Sequence, residues 1–191
     1  MHADNWANKA KQFGYRSRAV FKLEEILNKV LPKKNIKNVL DIGSAPGSWS
    51  QYIIKRYKQA KVYAVDILKM EPLEGVNFYQ ESIDNIDNID EINRLKGNFN
   101  LVISDIAPNL SGISAIDNAN IFELNQLTIK VAKDYLVDNG MIIMKTFQNN
   151  MLKNLRKEME LSFKLVQTYK PAASKKKSGE IYLFGVKWFY E

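Results

Sequence analysis

The chain has 191 residues, the length of one ordinary domain, and its apolar fraction of 46% is enough for a packed core. With no cysteine and one histidine, His2, it excludes disulfides, thiolate-ligated zinc and a cysteine nucleophile, makes a His-ligated metal or Ser-His-Asp triad improbable, and leaves acid–base chemistry to Lys, Asp, Glu or Tyr. The net charge of +7 points to an anionic partner, nucleic acid first, although a Lys- and Asn-rich coding bias explains it equally well.

Residues 1–14 are polar and mixed in charge, unlike a secretory signal. They read as a frayed extension of a single domain covering 1–191. Arg18 to Asn28 carries Val20, Phe21, Leu23, Ile26 and Leu27 at helical spacing. Asn38 to Ile42 is a short buried strand, followed by a Gly-rich turn and a helix over Ser48 to Tyr57. Lys61 to Val65 is a second strand that ends at Asp66, and Val76 to Tyr79 a third. A polar helix is expected over Asp87 to Leu95. The fourth strand, Asn100 to Ser104, ends at Asp105, and a loop runs from Pro108 to Asp117. A long helix follows over Asn118 to Val137, with Asn139-Gly140 as its stop. Met141 to Lys145 is the fifth strand and Asn150 to Glu160 a helix. Phe163 to Thr168 and Ile181 to Trp188 are the last strands, joined by a Lys-rich loop over Lys170 to Gly179. That loop is too short and polar for a crossover helix, so these two strands pair antiparallel. Strands alternating with helices define an α/β fold with a mostly parallel sheet. No apolar run is long enough to cross a bilayer, so no membrane partner is expected.

The segment Val39-Leu40-Asp41-Ile42-Gly43-Ser44-Ala45-Pro46-Gly47-Ser48-Trp49 is strand, turn, helix. Open α/β sheets bind ligands at such a turn, outside the carboxyl end of a strand, and glycines there let backbone approach the ligand. Asp66, at the end of the next strand, can accept hydrogen bonds from both hydroxyls of an adenosine ribose. A dinucleotide site would offer bare amides to a pyrophosphate. Here an acid precedes the first glycine and Pro46 removes a donor, which suits a sulfonium with an amino-acid tail better.

Four charged residues are candidates for chemistry: Lys22, Asp105, Lys145 and Glu180. Asp105 and Lys145 end strands on the ligand-binding edge. Glu180 begins the last strand, and if that strand runs antiparallel beside the fifth, it starts on the same edge. Lys22 must fold over from the N-terminal helix, and periodicity alone does not place it. A ribose 2′-hydroxyl is a poor nucleophile until its proton is removed or shared. A lysine can take that proton if burial and a neighbouring cation favour its neutral form.

These residues carry a resemblance. The chain resembles the FtsJ/RrmJ family of RNA 2′-O-ribose methyltransferases along nearly its whole length. The resemblance lies in Tyr15 to Leu23, Asp41 to Gln51, Ser104 to Asn109, Met144 to Gln148, Lys170-Pro171 and Ser178 to Tyr182. It implies a Rossmann-like fold with seven strands in the order 3-2-1-4-5-7-6, the seventh antiparallel. It also implies S-adenosylmethionine as cofactor and a Lys-Asp-Lys-Glu tetrad at Lys22, Asp105, Lys145 and Glu180, with Lys145 as proton acceptor. Implied cofactor contacts are Gly47, Trp49, Asp66 and Asp105, with Gly43, Ser44, Pro46, Ser48, Ile67 and Ser82 as neighbouring candidates. The chain departs from the family at Ser82, where an acid usually faces the adenine; Glu81 or Asp84 could substitute. The resemblance implies an RNA substrate, with a uridine of large-subunit ribosomal RNA first and transfer RNA second. Met70 to Val76 resembles the ribosomal branch, organellar members included.

Arg16, Arg18, Lys33, Lys34, Lys175, Lys176 and Lys177 are candidates for phosphate contact. No RNA-binding module accompanies them, so the RNA is expected to be read by shape, on a ribosomal particle. No metal is expected, and a monomer is. The compartment is intracellular, with cytoplasm, mitochondrion and nucleolus all open. The motif after the fourth strand is not that of base amine methylation, and C5 methylation lacks its cysteine. A catalytically idle assembly factor is the alternative of a different class.

Overall fold

The computed structural model describes residues 3–30, 35–109, 111–175 and 178–188. Its strands are β1 (Asn38–Ile42), β2 (Lys61–Asp66), β3 (Val76–Gln80), β4 (Phe99–Ser104), β5 (Leu136–Phe147), β6 (Phe163–Tyr169) and β7 (Glu180–Lys187). They form one seven-stranded sheet in the order β3-β2-β1-β4-β5-β7-β6. Pairing is parallel from β3 to β5, and β7 runs antiparallel between β5 and β6. Order and direction are those the family resemblance implies.

A pleated strand sends alternate side chains to opposite faces. Val39, Leu101, Ile103, Met141, Ile143, Tyr182, Phe184 and Val186 point to one face, against α2 (Val20–Val30) and α3 (Ser48–Arg56). Leu40, Ile42, Val102, Ile142, Met144 and Leu183 point to the other, against α5 (Ser114–Tyr135) and α6 (Leu152–Glu160). Among the described residues no helix is long and apolar enough to cross a membrane.

Four local expectations are corrected. A helix, α1 (Ala3–Gln12), occupies the stretch read as a frayed extension. Its Ala10 is buried, its Trp6 ring lies 5.1 Å from that of Phe21, and Gly14 at φ +71 ends it. The polar helix expected over Asp87 to Leu95 is a 3-10 turn, Ile83–Asn88, followed by the single-turn α4 (Asp90–Asn93). Ser82 caps that 3-10 turn, and Ile83 and Ile86, three apart, share its buried side. The loop expected to reach Asp117 ends sooner. Inside the first turn of α5, the Asp117 carboxylate accepts the amides of Ser111 at 2.7 Å and Gly112 at 3.1 Å, which lets the helix start at Ser114. Finally, Asn139-Gly140 does not stop α5, because Leu136 turns extended and pairs at once with Phe99. The pair lies inside β5, which loops out between its pairings at Leu136 and Met141, with Asn139 at φ 58.

Candidate active site

The carboxyl ends of β1, β2, β3 and β4 border a cleft of about 1260 Å³. Gly43, Ala45, Asp66, Ile67, Ser82 and Asp105 are among its walls. A second chamber of about 60 Å³ lies beneath the turn, walled by Ser17, Asp41, Gly43, Ser44, Pro46, Ser48, Trp49 and Asp105, among others. The expected cofactor set thus lines one space or the other, with the exception of Gly47.

The glycines make room for neighbouring groups of the chain. Gly43 has φ +71, and a Cβ there would lie 2.6 Å from Ile106 Cβ. Gly47 has φ +102, and its missing Cβ leaves room for Met70 Sδ and the Arg16 guanidinium, 2.8 and 3.0 Å from the Cβ position. That guanidinium donates to the carbonyls of Pro46 (2.9 Å), Glu71 (2.8 Å) and Pro72 (2.8 Å). Arg16, expected as a phosphate contact, is therefore a brace. It ties the N-terminal segment to the turn and to the chain after β2.

The Asp66 carboxylate accepts the amides of Ala45 and Leu68, each at 2.8 Å, which fixes it on the cleft wall. Ser82 donates to Asp84 at 2.9 Å and caps the 3-10 turn, so its hydroxyl belongs first to local structure, with an acid beside it. Trp49 is buried and donates its indole N–H to the Ala19 carbonyl at 2.8 Å. The Ser44 hydroxyl is buried and finds no partner among the described residues. A buried group left so is a place where a polar ligand atom fits.

Beneath the turn, Asp41 is 1% exposed and accepts a 2.6 Å hydrogen bond from Ser50. Burial pushes its carboxyl up to about 7, and the charges of Asp105 and Asp66 add to this against the Ser50 bond. Three carboxylates at one edge make the site attractive to a cation. Among the described residues no group of His, Cys, Asp or Glu is arranged to hold a metal ion.

The four chemical candidates meet as two ion pairs. Lys145 and Tyr182 are cross-strand partners, and Glu180, two residues before Tyr182, emerges on the same face. Lys22 reaches that face from α2. Its ammonium donates to both Glu180 oxygens, at 2.8 and 2.9 Å, and Ser174 adds a 2.8 Å bond to the same carboxylate. Burial pushes the Glu180 carboxyl up, but the Lys22 charge, with the Lys22 and Ser174 hydrogen bonds and the Lys145 charge, outweighs it and lowers the net pKa. Lys145 Nζ lies 3.2 Å from Asp105 Oδ1 and makes a short hydrogen bond to the Asp105 carbonyl. Asn125, buried in α5, donates to the Lys145 carbonyl at 2.8 Å and so pins the strand end that carries this amine.

Sequence reasoning missed Ser17, Ser174, Asn125 and Tyr182. Tyr182 was recoverable, because strand alternation puts it on the face of Glu180. Ser17 and Ser174 sit in loops, where no period reports direction, and the helical period that buries Asn125 does not say what it binds. Of the phosphate candidates, Arg18 is half-buried and Lys175 exposed. Lys33, Lys34, Lys176 and Lys177 lie outside the described residues. The Lys-rich loop is pinned to α2 by the Ala172 amide, 2.7 Å from Glu25.

A parallel sheet with a reversed seventh strand, a glycine turn at β1 and an acid at the end of β2 are the fold and site of a nucleoside-cofactor methyltransferase. The chain belongs to the FtsJ-like methyltransferase family, whose model matches residues 15–188. It is 37% identical over 188 residues to the ribosomal RNA large subunit methyltransferase E of Wigglesworthia glossinidia brevipalpis, covering 98% of this chain and 93% of that one. It is 40% identical over 185 residues to the protein of that name from Chromobacterium violaceum, covering 95% and 90%. Its structure is similar to that of a Plasmodium falciparum protein assigned as a ribosomal RNA methyltransferase. The TM-score is 0.77 at 34% identity, with 93% of this chain and 100% of that one covered.

Proposed function

We propose that this protein methylates a ribose 2′-hydroxyl of large-subunit ribosomal RNA with S-adenosylmethionine, a uridine being the first candidate nucleotide. One observation carries the reading. Two ion pairs, Lys22–Glu180 and Lys145–Asp105, meet around Tyr182, and Asp105 also lines both the cleft and the small chamber. Asp66 would take the ribose hydroxyls of the cofactor. Ser44, with Ser17 and Ser48 beside it, would take the polar tail.

When bound, the cofactor supplies a methyl group on a sulfonium, whose carbon–sulfur bond breaks as the bond to the RNA oxygen forms. Lys145 accepts the 2′-hydroxyl proton on Nζ as that bond forms. Asp105 holds this amine in place from β4. Lys22 has three N–H bonds, two of them on Glu180, which leaves one to orient the ribose oxygen. Holding nucleophile and methyl carbon in line is itself a large part of the acceleration.

The test is incubation with methyl-tritiated S-adenosylmethionine and ribosomal particles, naked large-subunit RNA or transfer RNA, followed by digestion to nucleosides. Label is expected in a 2′-O-methyl nucleoside from ribosomal RNA. Label in base-methylated nucleosides, or none with any RNA, overturns the reading. Lys145→Ala is expected to lower kcat by about 10²–10⁴-fold, the usual worth of a general base. Cofactor affinity by calorimetry should stay within about twofold, because Lys145 acts on the RNA proton. Equal loss of both would make Lys145 structural.

A further inference from the structure

We propose that Tyr182 is a positioning residue for this reaction, a fifth member of the site that fixes the Asp105 carboxylate and divides the charge that holds Lys145. The inference rests on the methyltransfer reading for its kinetic consequence, though not for its chemical one.

Tyr182 is fully buried, 0% exposed, in the middle of the quartet. Its hydroxyl donates to Asp105 Oδ1 at 2.7 Å. Lys145 Nζ approaches the same oxygen at 3.2 Å. Its ring lies 5.7 Å from Lys22 Nζ and 5.8 Å from the ring of Trp49. One side chain therefore touches both ion pairs and joins them to the wall of the small chamber. Burial, with the Asp105 and Glu180 charges, pushes the phenol well above the ordinary tyrosine range, so it stays a donor throughout the working pH.

The consequence concerns the lysine. An anionic oxygen with one cationic partner holds that partner's proton firmly. Here a second donor takes part of the same oxygen's charge, at the shorter distance, and the ammonium of Lys145 is held less firmly. The phenol also fixes the Asp105 rotamer, so the amine stays aligned in its neutral form, before it takes the proton.

Tyr182→Phe keeps the ring, its packing on Trp49 and its place beneath Lys22, and removes one oxygen. Two measurements on the full chain test the proposal. In the kcat–pH profile, the variant's acid limb should move up by about one pH unit. The rate near neutrality should then fall roughly tenfold, the size of one hydrogen bond to a charged group. Recovery is expected at high pH, with the KM for RNA and cofactor affinity within about twofold. A loss equal at every pH, or one confined to KM, would make Tyr182 a packing residue and overturn the proposal. Independently of methyl transfer, acylation by a small amine-reactive reagent can be followed by mass spectrometry at pH 8, with exposed Lys61 as internal standard. Lys145 should react several-fold more slowly in the variant. An unchanged ratio overturns the proposal even if the kinetics shift. If the wild-type chain methylates no RNA, the functional reading fails, and the acylation ratio still decides the role of Tyr182.

Discussion

Asp41 is a buried carboxylate and Glu180 a half-buried one, and they pull stability in opposite directions with pH. Asp41 has its carboxyl raised from 3.8 to about 7, chiefly by burial. Between those values the folded chain binds more protons than the unfolded chain, so stability falls as pH rises from about 4 to about 7 and is flat for this group above that. Glu180 is lowered from its ordinary value of 4.5, so its contribution is present above that value and is lost as pH falls below it. The two windows are separate, which makes the Asp41 effect measurable. Asp41→Asn should remove the decline between about pH 4 and pH 7 in urea midpoints, while leaving the acid-side loss in place. A wild-type decline retained in the variant would place its origin in another group. The same carboxylate lies under the site proposed for a sulfonium. The cation would favour ionised Asp41, so S-adenosylmethionine should offset part of the decline where the uncharged thioether product does not.

The elements around the site are built by close approach, and Gly43 is where that is tightest. Its absent Cβ would sit 2.7 Å from Ile106 Cα as well as against the Ile106 side chain, and its φ is +71. Backbone strain of this kind costs about 1–3 kcal/mol, and the clash with the chain leaving β4 adds to it. Gly43→Ala should therefore lower stability by about 2 kcal/mol or more in denaturant titration. A loss under about 0.5 kcal/mol would mean that β1 and β4 can part at their ends. The sequence foretold that this glycine mattered for a ligand, and it left its fit against Ile106 unseen, since a neighbour some sixty residues away in the chain leaves no local trace. The same division runs through the rest of the fold. Asp66, Asp105, Lys145 and Glu180 were legible because strand ends in an open α/β sheet gather at one edge whatever the details. Strand alternation would have added Tyr182. The start of α5 was not legible, because a carboxylate inside the helix reaches back to the amides of Ser111 and Gly112. Nor was α1, whose anchorage comes from Trp6 lying against Phe21 of the next helix. The role of Arg16 stayed hidden too, since a guanidinium bound to three carbonyls looks in sequence like one meant for phosphate.

At the scale of the whole molecule, the excess of 28 Lys and Arg over 21 Asp and Glu has to be divided between architecture and substrate. Counterion release does so by experiment. Each cation that contacts a phosphate adds about 0.7 to 0.9 to the slope of log affinity against log salt, whereas a cation engaged inside the protein adds nothing. Arg16 is half-buried and braces three carbonyls beside the cofactor turn; Lys175 is exposed at the start of the Lys-rich stretch, next to Ser174 and hence near Glu180. The proposed RNA backbone must pass this side of the sheet to deliver a ribose to Lys145. Lys175→Gln should therefore make the salt slope of RNA binding shallower by about 0.7 to 0.9. Arg16→Gln should leave the slope unchanged even where it weakens the protein, because the guanidinium is taken up by three carbonyls. Titrations of a ribosomal RNA fragment between low and moderate salt check both at once. If the Lys175 variant keeps the wild-type slope while the Arg16 variant loses one contact, the RNA approaches along the N-terminal segment, and the basic loop beside Glu180 plays no part in holding it.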